Sequence, residues 1–597
     1  MKPSKTHIPV ESNSPLRGLA TTPPSTRLST PFSPNLLNCI VRDGIVTRRS
    51  GYQQIGQQLV GRVLAITEFG ELGQDPNLVV LTSHRQYYYD VGTNTFIDLT
   101  PGLTSYTITD NVDGNSVQIA GDHVADFPAG RLVPIVGGSN AGVYTVDSAV
   151  LDTGNTVVTF VEPLPDVLIV DGDLVIADDF TTGTRDLIDY VAVTDVNGRR
   201  MIITNGVDTP RTWNGDTGTP FADWAPTFTD FVTCKTLCVF NEHLFLGNIT
   251  TASNEEQLIA WSDAGDFDEF EAGQAGAQLL YTMSKGIVAL KVLGDRLAIY
   301  SHDAVMTGVY VGGTAIFAFE VVIPEGTRLV CQNGIVSINL GHIYLSEENI
   351  YLFDGTRGNR VLGDQIYSDY KLYKDQANLH ECCLLNDYSK RIIYISVPDI
   401  TGGSNVYTVV YDIFDLGNLD WSKQKFVDQP RAFGFFTNHS VELTWDDASW
   451  ETPSNPWSAE SGRWSEESEQ LEFPIPCFGT DDGKVFLLSN SVYADNGTVE
   501  TQTYDTMDFT VPEIFHSLHG RWLEVEFEAS GDDVDVSYSG DLGASFTAAD
   551  SVELTTSYQW HRVPIDTTSR TIRIRFSSDT QFSLRWVRVW VRGGGPR

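Results

Sequence analysis

Basic residues are scarce in this chain. Its 597 residues hold 39 Lys and Arg against 78 Asp and Glu, a formal net charge of -39. That excess of carboxylates excludes a broad phosphate-gripping surface, and with it tight binding of nucleic acid. Long apolar runs are missing as well. No stretch approaches about 18 consecutive apolar residues, and the opening Met1-Lys2-Pro3-Ser4-Lys5 has no apolar core before a small-residue cleavage site, so neither a spanning helix nor a signal peptide is expected. Cysteine is sparse and odd in number: Cys39, Cys234, Cys238, Cys331, Cys382, Cys383 and Cys477. They sit mostly in apolar strand-like runs and read as buried thiols of a chain folded in a reducing compartment. Cys234 and Cys238 lack a second Cys/His pair at ligand spacing, so no zinc is expected. The signatures G-x-S-x-G, H-E-x-x-H and the phosphate loop are all absent, and the reading is of no enzyme, no catalytic residue, no metal and no cofactor. Helical periodicity is nearly absent too.

What remains is a chain built of short strands. Hydrophobic residues make up 41% and aromatics 11%, enough for sizeable ordered cores. From residue 60 onward, runs of Val, Ile, Leu and Tyr end in Gly, Asn or Asp, the pattern of strands joined by tight turns. A unit recurs: an apolar strand, a polar turn, an aromatic strand, then an Asp- or Asn-Gly-type turn. Leu78–Leu81 followed by Tyr87–Asp90 parallels His342–Leu345 followed by Tyr351–Gly355. Related units begin near Met201, Leu244, Leu297, Ile343 and Ile392, at intervals of 43, 53, 46 and 49 residues, and a last begins near Cys477. Two wider gaps close to 43 and 50 residues once 101–180 and a Trp-rich stretch at 438–472 are set aside as insertions. The spacing predicts an all-β chain containing a β-propeller of about six to eight blades, each of about 40–50 residues.

The expected organisation is an extended N-terminal arm and first strands at 1–59, the propeller start at 60–100, and an inserted small β-barrel or sandwich at 101–180. The propeller continues at 181–437, the Trp-rich insertion follows at 438–472, the propeller ends at 473–499, and a C-terminal β-sandwich occupies 500–597. Charge is uneven along this plan. Residues 1–50 and 561–597 are locally basic, leaving -50 for residues 51–560.

Two groups of side chains invite a partner. Trp445, Trp450, Trp457 and Trp464 stand among Asp, Ser and Glu, where burial needs a neighbour. Arg585, Trp586, Arg588 and Trp590 alternate near the end of the chain, a composition suited to a protein interface. Arginines 570, 573 and 575 flank Ile572 and Ile574, Arg585, Arg588 and Arg592 interrupt Trp586, Val589 and Trp590, and alternation puts several of these six arginines on a solvent or partner face. Ser539-Gly540-Asp541-Leu542-Gly543-Ala544-Ser545-Phe546 resembles the Asp box of sialidase propellers, in which the carboxylate shapes its own turn. Asp171-Gly172-Asp173 and Asp532-Asp533-Val534-Asp535 read as solvated turns, with calcium the alternative, since neither completes an EF-hand loop.

Several stretches, in order, resemble the tail nozzle (tail tubular) proteins of short-tailed phages: Asn38 through Asp43-Gly44 to Arg48-Arg49-Ser50-Gly51, then Trp261–Phe267, Leu297–Ser301, Ile350–Gly355 and the spaced Trp-Asp pattern from Trp445. The resemblance implies a structural virion tail protein made in the host cytoplasm, forming a homohexameric ring that docks a tail adaptor protein and tail fibre or spike proteins. It further implies gated passage of double-stranded DNA during ejection and host entry, without sequence-specific binding. A lumen lined by the acidic region repels phosphates at short range. The competing expectations are a propeller-type tail protein that binds or cleaves host surface glycan, and another tail hub or fibre-attachment ring.

Overall fold

The computed structural model describes residues 7–11, 16–22, 32–71, 73–166, 168–183, 185–313, 315–324, 326, 329–356, 358–411, 419–437, 474–489, 493–511 and 519–593. The protein is nearly all β: among the described residues 56% lie in strands and there is one short helix, Tyr367–Tyr373. No helix there is long and apolar enough to cross a membrane. The chain divides into two compact units: 1–53, 328–429 and 488–597 make up the first, and 54–327 with 430–487 the second.

Four-stranded antiparallel sheets recur along the chain. The first is Val63–Phe69, Asn77–Thr82, Gln86–Asp90 and Thr95–Asp98; the second is Asp189–Asp195, Gly198–Thr204, Arg211–Trp213 and Ala222–Asp223. The third runs from Thr233–Phe240 to Gly276–Leu279, the fourth from Ile287–Leu293 to Phe317–Ile323, and the fifth from Ile335–Ile338 to Asn359–Val361. Cys383–Asp387, Ile392–Pro398, Ser404–Val410 and Asp420–Lys425 form a sixth set, and Ala432–Phe436, Ile475–Gly479 and Val485–Ser489 form a seventh with Gly51–Ile55, where the chain passes from one unit to the other. All seven repeat starts read from the sequence fall on the second strand of one of these sets. That strand is mostly buried in each set, its edges both hydrogen-bonded: His243–Thr250 is buried at seven of eight positions and Ile392–Pro398 at all seven.

A closed six-stranded barrel follows the first sheet, in the order Thr104–Asp113, Ser116–Ala120, Asn155–Phe160, Gly142–Asp152, Leu132–Val136 and Asp173–Ile176. Its interior is Val117, Ile119, Val133, Ile135, Val146, Val158, Phe160 and Leu174, supplied by strict alternation such as that of Asn155–Phe160. Closure removes the strand edges at which other chains could pair.

In the first unit, the sixth set extends through Leu36–Leu37 into Gln502–Asp505, Thr571–Ser578, Asp533–Ser539 and Thr547–Glu553, giving a ten-stranded sheet that also includes Phe509–Thr510. A six-stranded sheet holds Cys39–Arg42, Ile45–Arg48, Phe582–Gly593, Gly520–Gly531 and Gln559–Ser569, with His7–Glu11 paired along Phe582–Gly593. The two sheets pack face to face. Phe527 meets Phe576 edge-on at 5.1 Å, and Trp522, Val525, Val534, Ile574 and Val589 are fully buried around them. Each such side chain contributes about 1.5–3 kcal/mol by leaving water.

Candidate partner interface on the C-terminal sheets

Strand Phe582–Gly593 alternates cleanly. Leu584, Val587, Val589 and Val591 face the core, while Trp586, Arg588 and Trp590 are partly exposed on the other side. A β-bulge between Glu528 and Ala529 of the neighbouring strand leaves Arg585 unpaired in the ladder, so it is exposed next to Trp586 and not turned inward. The structure thus brings Arg585, Trp586, Arg588 and Trp590 onto one outward surface. The other proposed group, Trp445, Trp450, Trp457 and Trp464, lies outside the described residues.

The register across this face is orderly. Trp560 stands opposite Glu528, which stands opposite Trp586; Arg562 is opposite Glu526, which is opposite Arg588; and Pro564 is opposite Glu524, which is opposite Trp590. Glu526 is the hub. It accepts hydrogen bonds from Arg562 Nη2 at 2.9 Å and Nε at 3.1 Å, from Arg588 Nη1 at 3.3 Å and from Trp590 Nε1 at 3.3 Å. Burial pushes its carboxyl pKa up, but the hydrogen bonds from Arg562 and Trp590 and the two guanidinium charges outweigh it and hold the group below its ordinary value. Trp560 and Trp586 pack with ring centroids 6.2 Å apart, and Trp560 remains 49% exposed. Arg585 lies over the Tyr558 ring at 3.5 Å, and Arg588 lies 5.8 Å from the Trp560 ring.

Tyr558 and Trp560 were missed by sequence reasoning. Trp560 alternates with inward-facing His561, the signal that places it outward; His561 stacks on Phe527 at 5.5 Å, and burial lowers its pKa. Of the arginines of the neighbouring sheet, Arg570 is exposed, whereas Arg573 and Arg575 are held by carboxylates. Arg573 is buried and donates twice to Asp508, both bonds at 2.9 Å, while Arg575 donates to Asp505 at 2.7 and 2.8 Å and lies over the Phe546 ring. Alternation fixes a face but not what covers it, and here Asp505 and Asp508, on and beside the adjoining strands, cover the guanidinium groups.

The remaining motifs serve local structure. Asp541 accepts from the Ser539 hydroxyl at 2.5 Å and from both the Ser545 amide, at 3.0 Å, and its hydroxyl. Asp171 accepts the Ser139 amide at 3.0 Å, and Asp533 accepts the Thr580 hydroxyl. Among the described residues no three His, Cys, Asp or Glu side chains come together as metal ligands. A hollow of about 500 Å³ in the second unit is lined by Val239, Phe240, Asn241, Val292, Val309 and Tyr310, with Asp295 its one ionisable carboxylate.

The stretches carrying the phage-tail resemblance also have structural positions. Asp43 and Gly44, with φ of 52° and 76°, make the two-residue turn joining Cys39–Arg42 to Ile45–Arg48. Arg49 donates to Asp495 through two nitrogens, to Asn38 Oδ1 at 3.2 Å and to the Lys425 carbonyl at 2.9 Å. Trp261 ends the third strand of the third sheet, Leu297–Ser301 lies in the second strand of the fourth, and Ile350–Phe353 is the third strand of the fifth.

No family model matches this chain, and no curated relative matches it. Solved structures similar to parts of it include a mutant of a family 29 carbohydrate-binding module at 12% identity, over 17% of this chain and 66% of that one, with a TM-score of 0.12. A second mutant of such a module has 11% identity over 16% and 64%, with a TM-score of 0.13. Both matches span just under two thirds of the module's own length. BBS1N in complex with ARL6DN has 9% identity over 74% of this chain and 99% of that one, with a TM-score of 0.25.

The outward face offers tryptophan and tyrosine rings and guanidinium groups around the paired Glu526 carboxylate.

Proposed function

We propose that this protein is a non-enzymatic structural subunit of the tail of a short-tailed phage, in which the seven four-stranded sets are the blades of one β-propeller. Copies close into a homohexameric ring around the path of the genome, and the ring docks adaptor and fibre or spike proteins. The observation that carries this reading is the order of the resembling stretches, each of which, from Asn38 to Ile350–Gly355, contributes a turn, a clamp or a strand of a four-stranded set. The inserted barrel and the acidic composition support it. A lumen lined from the -50 region keeps DNA phosphates off the wall over about 8 Å of screening length at physiological salt. The face holding Arg585, Trp586, Arg588 and Trp590 supplies the rigid aromatic and arginine anchors typical of docking surfaces. Cryo-electron microscopy of the purified particle tests the proposal: a six-fold ring on the tail axis is expected, and its absence there overturns the conduit.

One observation favours a second reading. Trp560, half exposed beside Trp586, is an aromatic platform of the kind on which a sugar ring stacks. A host-glycan binder loses glycan retention on Trp560→Ala, whereas a nozzle retains none before or after the substitution. A glycan-cleaving enzyme releases reducing ends from host polysaccharide.

A further inference from the structure

Two cysteine thiols of the first unit lie side by side. Cys331 is half-buried just before the turn Gln332–Gly334, and Cys382 is buried just before strand Cys383–Asp387. Their Sγ atoms are 3.4 Å apart, and Cys331 Sγ is 3.3 Å from the Cys382 carbonyl oxygen. The neighbouring chain is shaped to admit them. A Cβ on Gly334 would stand 3.2 Å from Cys382 Sγ and 3.6 Å from Cys331 Sγ, and the backbone there does not adopt a left-handed conformation, so the glycine supplies room and not torsional freedom. No third ligand completes a metal site among the described residues.

We propose that Cys331 and Cys382 are a dithiol that closes to an intramolecular disulfide when the folded chain meets a disulfide oxidant such as oxidised glutathione. Cys331 has solvent access and reacts first. Its thiolate attacks one sulfur of the oxidant, breaking that S–S bond and releasing one thiol. Cys382 then loses its proton to solvent and attacks Cys331 Sγ, releasing the second thiol. Two electrons pass to the oxidant, which leaves as two reduced molecules. The order follows from the surroundings: the hydrogen bond with Cys331 and then burial raise the Cys382 thiol pKa, so it is the poorer first nucleophile. Bond formation shortens 3.4 Å to about 2.05 Å, a change small side-chain rotations accomplish. The bond closes a loop over a separation of 51 residues that contains the whole fifth sheet and the helix Tyr367–Tyr373. A loop of that length restricts the unfolded chain strongly.

The test uses the full chain, purified with reductant, then incubated folded with excess oxidised glutathione and denatured for thiol counting. The seven thiols fall to five, and trypsin yields a linked pair of peptides, 329–357 with 375–390. Cys383→Ala still loses two thiols, whereas Cys331→Ala, a substitution at a half-buried site, loses none. Seven thiols remaining in the native chain, a glutathione adduct on Cys331 that does not close, or a loss of two that persists in Cys331→Ala overturns the proposal.

Discussion

Arg49 offers the sharpest energetic test. Its side chain is 6% exposed and that of Asp495 is 0% exposed, so the pair is removed from water. The guanidinium gives two hydrogen bonds to the carboxylate, one to Asn38 Oδ1 at 3.2 Å, one to the Ser50 carbonyl at 2.9 Å and one to the Lys425 carbonyl at 2.9 Å, and it stacks 4.7 Å from the Phe426 ring. Arg49→Ala leaves a buried, uncompensated carboxylate and takes one hydrogen bond from each of three further acceptors, of which Asn38 Oδ1 keeps the Lys425 amide at 2.8 Å. Breaking such a pair costs about 3–5 kcal/mol. At about 2–4 °C per kcal/mol for a unit of this size, the unfolding midpoint of the first unit falls by roughly 10 °C. Arg49→Lys keeps the charge but not the fork, and falls between the two. The paired replacement Arg49→Met with Asp495→Leu removes both charges and recovers most of the loss, because the cost lies in the orphaned charge and not in the missing attraction. Scanning calorimetry of the full chain, with urea unfolding as a check, measures all four proteins. A loss below about 1 kcal/mol for Arg49→Ala, or a double variant no better than the single ones, refutes the argument.

Three other outcomes are expected. Glu526 has a depressed folded pKa, so its contribution is present above its unfolded value of about 4.3 and disappears as pH falls through the lower folded value; Glu526→Gln flattens that part of the acid-unfolding curve. Burial pushes the Cys39 and Cys238 thiols up to about 12, so in the folded chain at pH 8 iodoacetamide leaves both unmodified by mass spectrometry and modifies Cys331 ahead of them. Gly434→Val drives a Cβ to within 2.6 Å of the Ile66 carbonyl oxygen, and overpacking of this kind lowers the stability of the second unit by about 1–3 kcal/mol, read as a drop in its melting midpoint.

What the sequence disclosed is what neighbouring residues encode. Apolar alternation and Asp- or Asn-Gly turns act within ten residues, so the repeat starts at Leu78, Met201 and Ile392 each identified a real second strand. The closed barrel between the first and second sheets was visible for the same reason. Joins between distant segments were not visible: nothing local predicts that Val10 pairs with Val589, or that Leu36–Leu37 bridges Asp420–Lys425 and Gln502–Asp505. At the candidate site, alternation picked out Arg585, Trp586, Arg588 and Trp590, but not Tyr558 and Trp560, which lie just before and at the start of strand Gln559–Ser569. Arg573 and Arg575 look free in sequence because Asp508 and Asp505, their partners, lie about 65 and 70 residues earlier.

The pairing of His7–Glu11 and Ile45–Arg48 with Phe582–Gly593 sets a clock on synthesis. A ribosome delivers the early strands first, and their partner emerges only after the strands of the four-stranded sets and the barrel have left the exit tunnel. Through that interval the early edges stay unpaired and available to a chaperone or to another nascent chain. A chain stopped short of Phe582 therefore keeps an open sheet edge of the kind at which other strands pair.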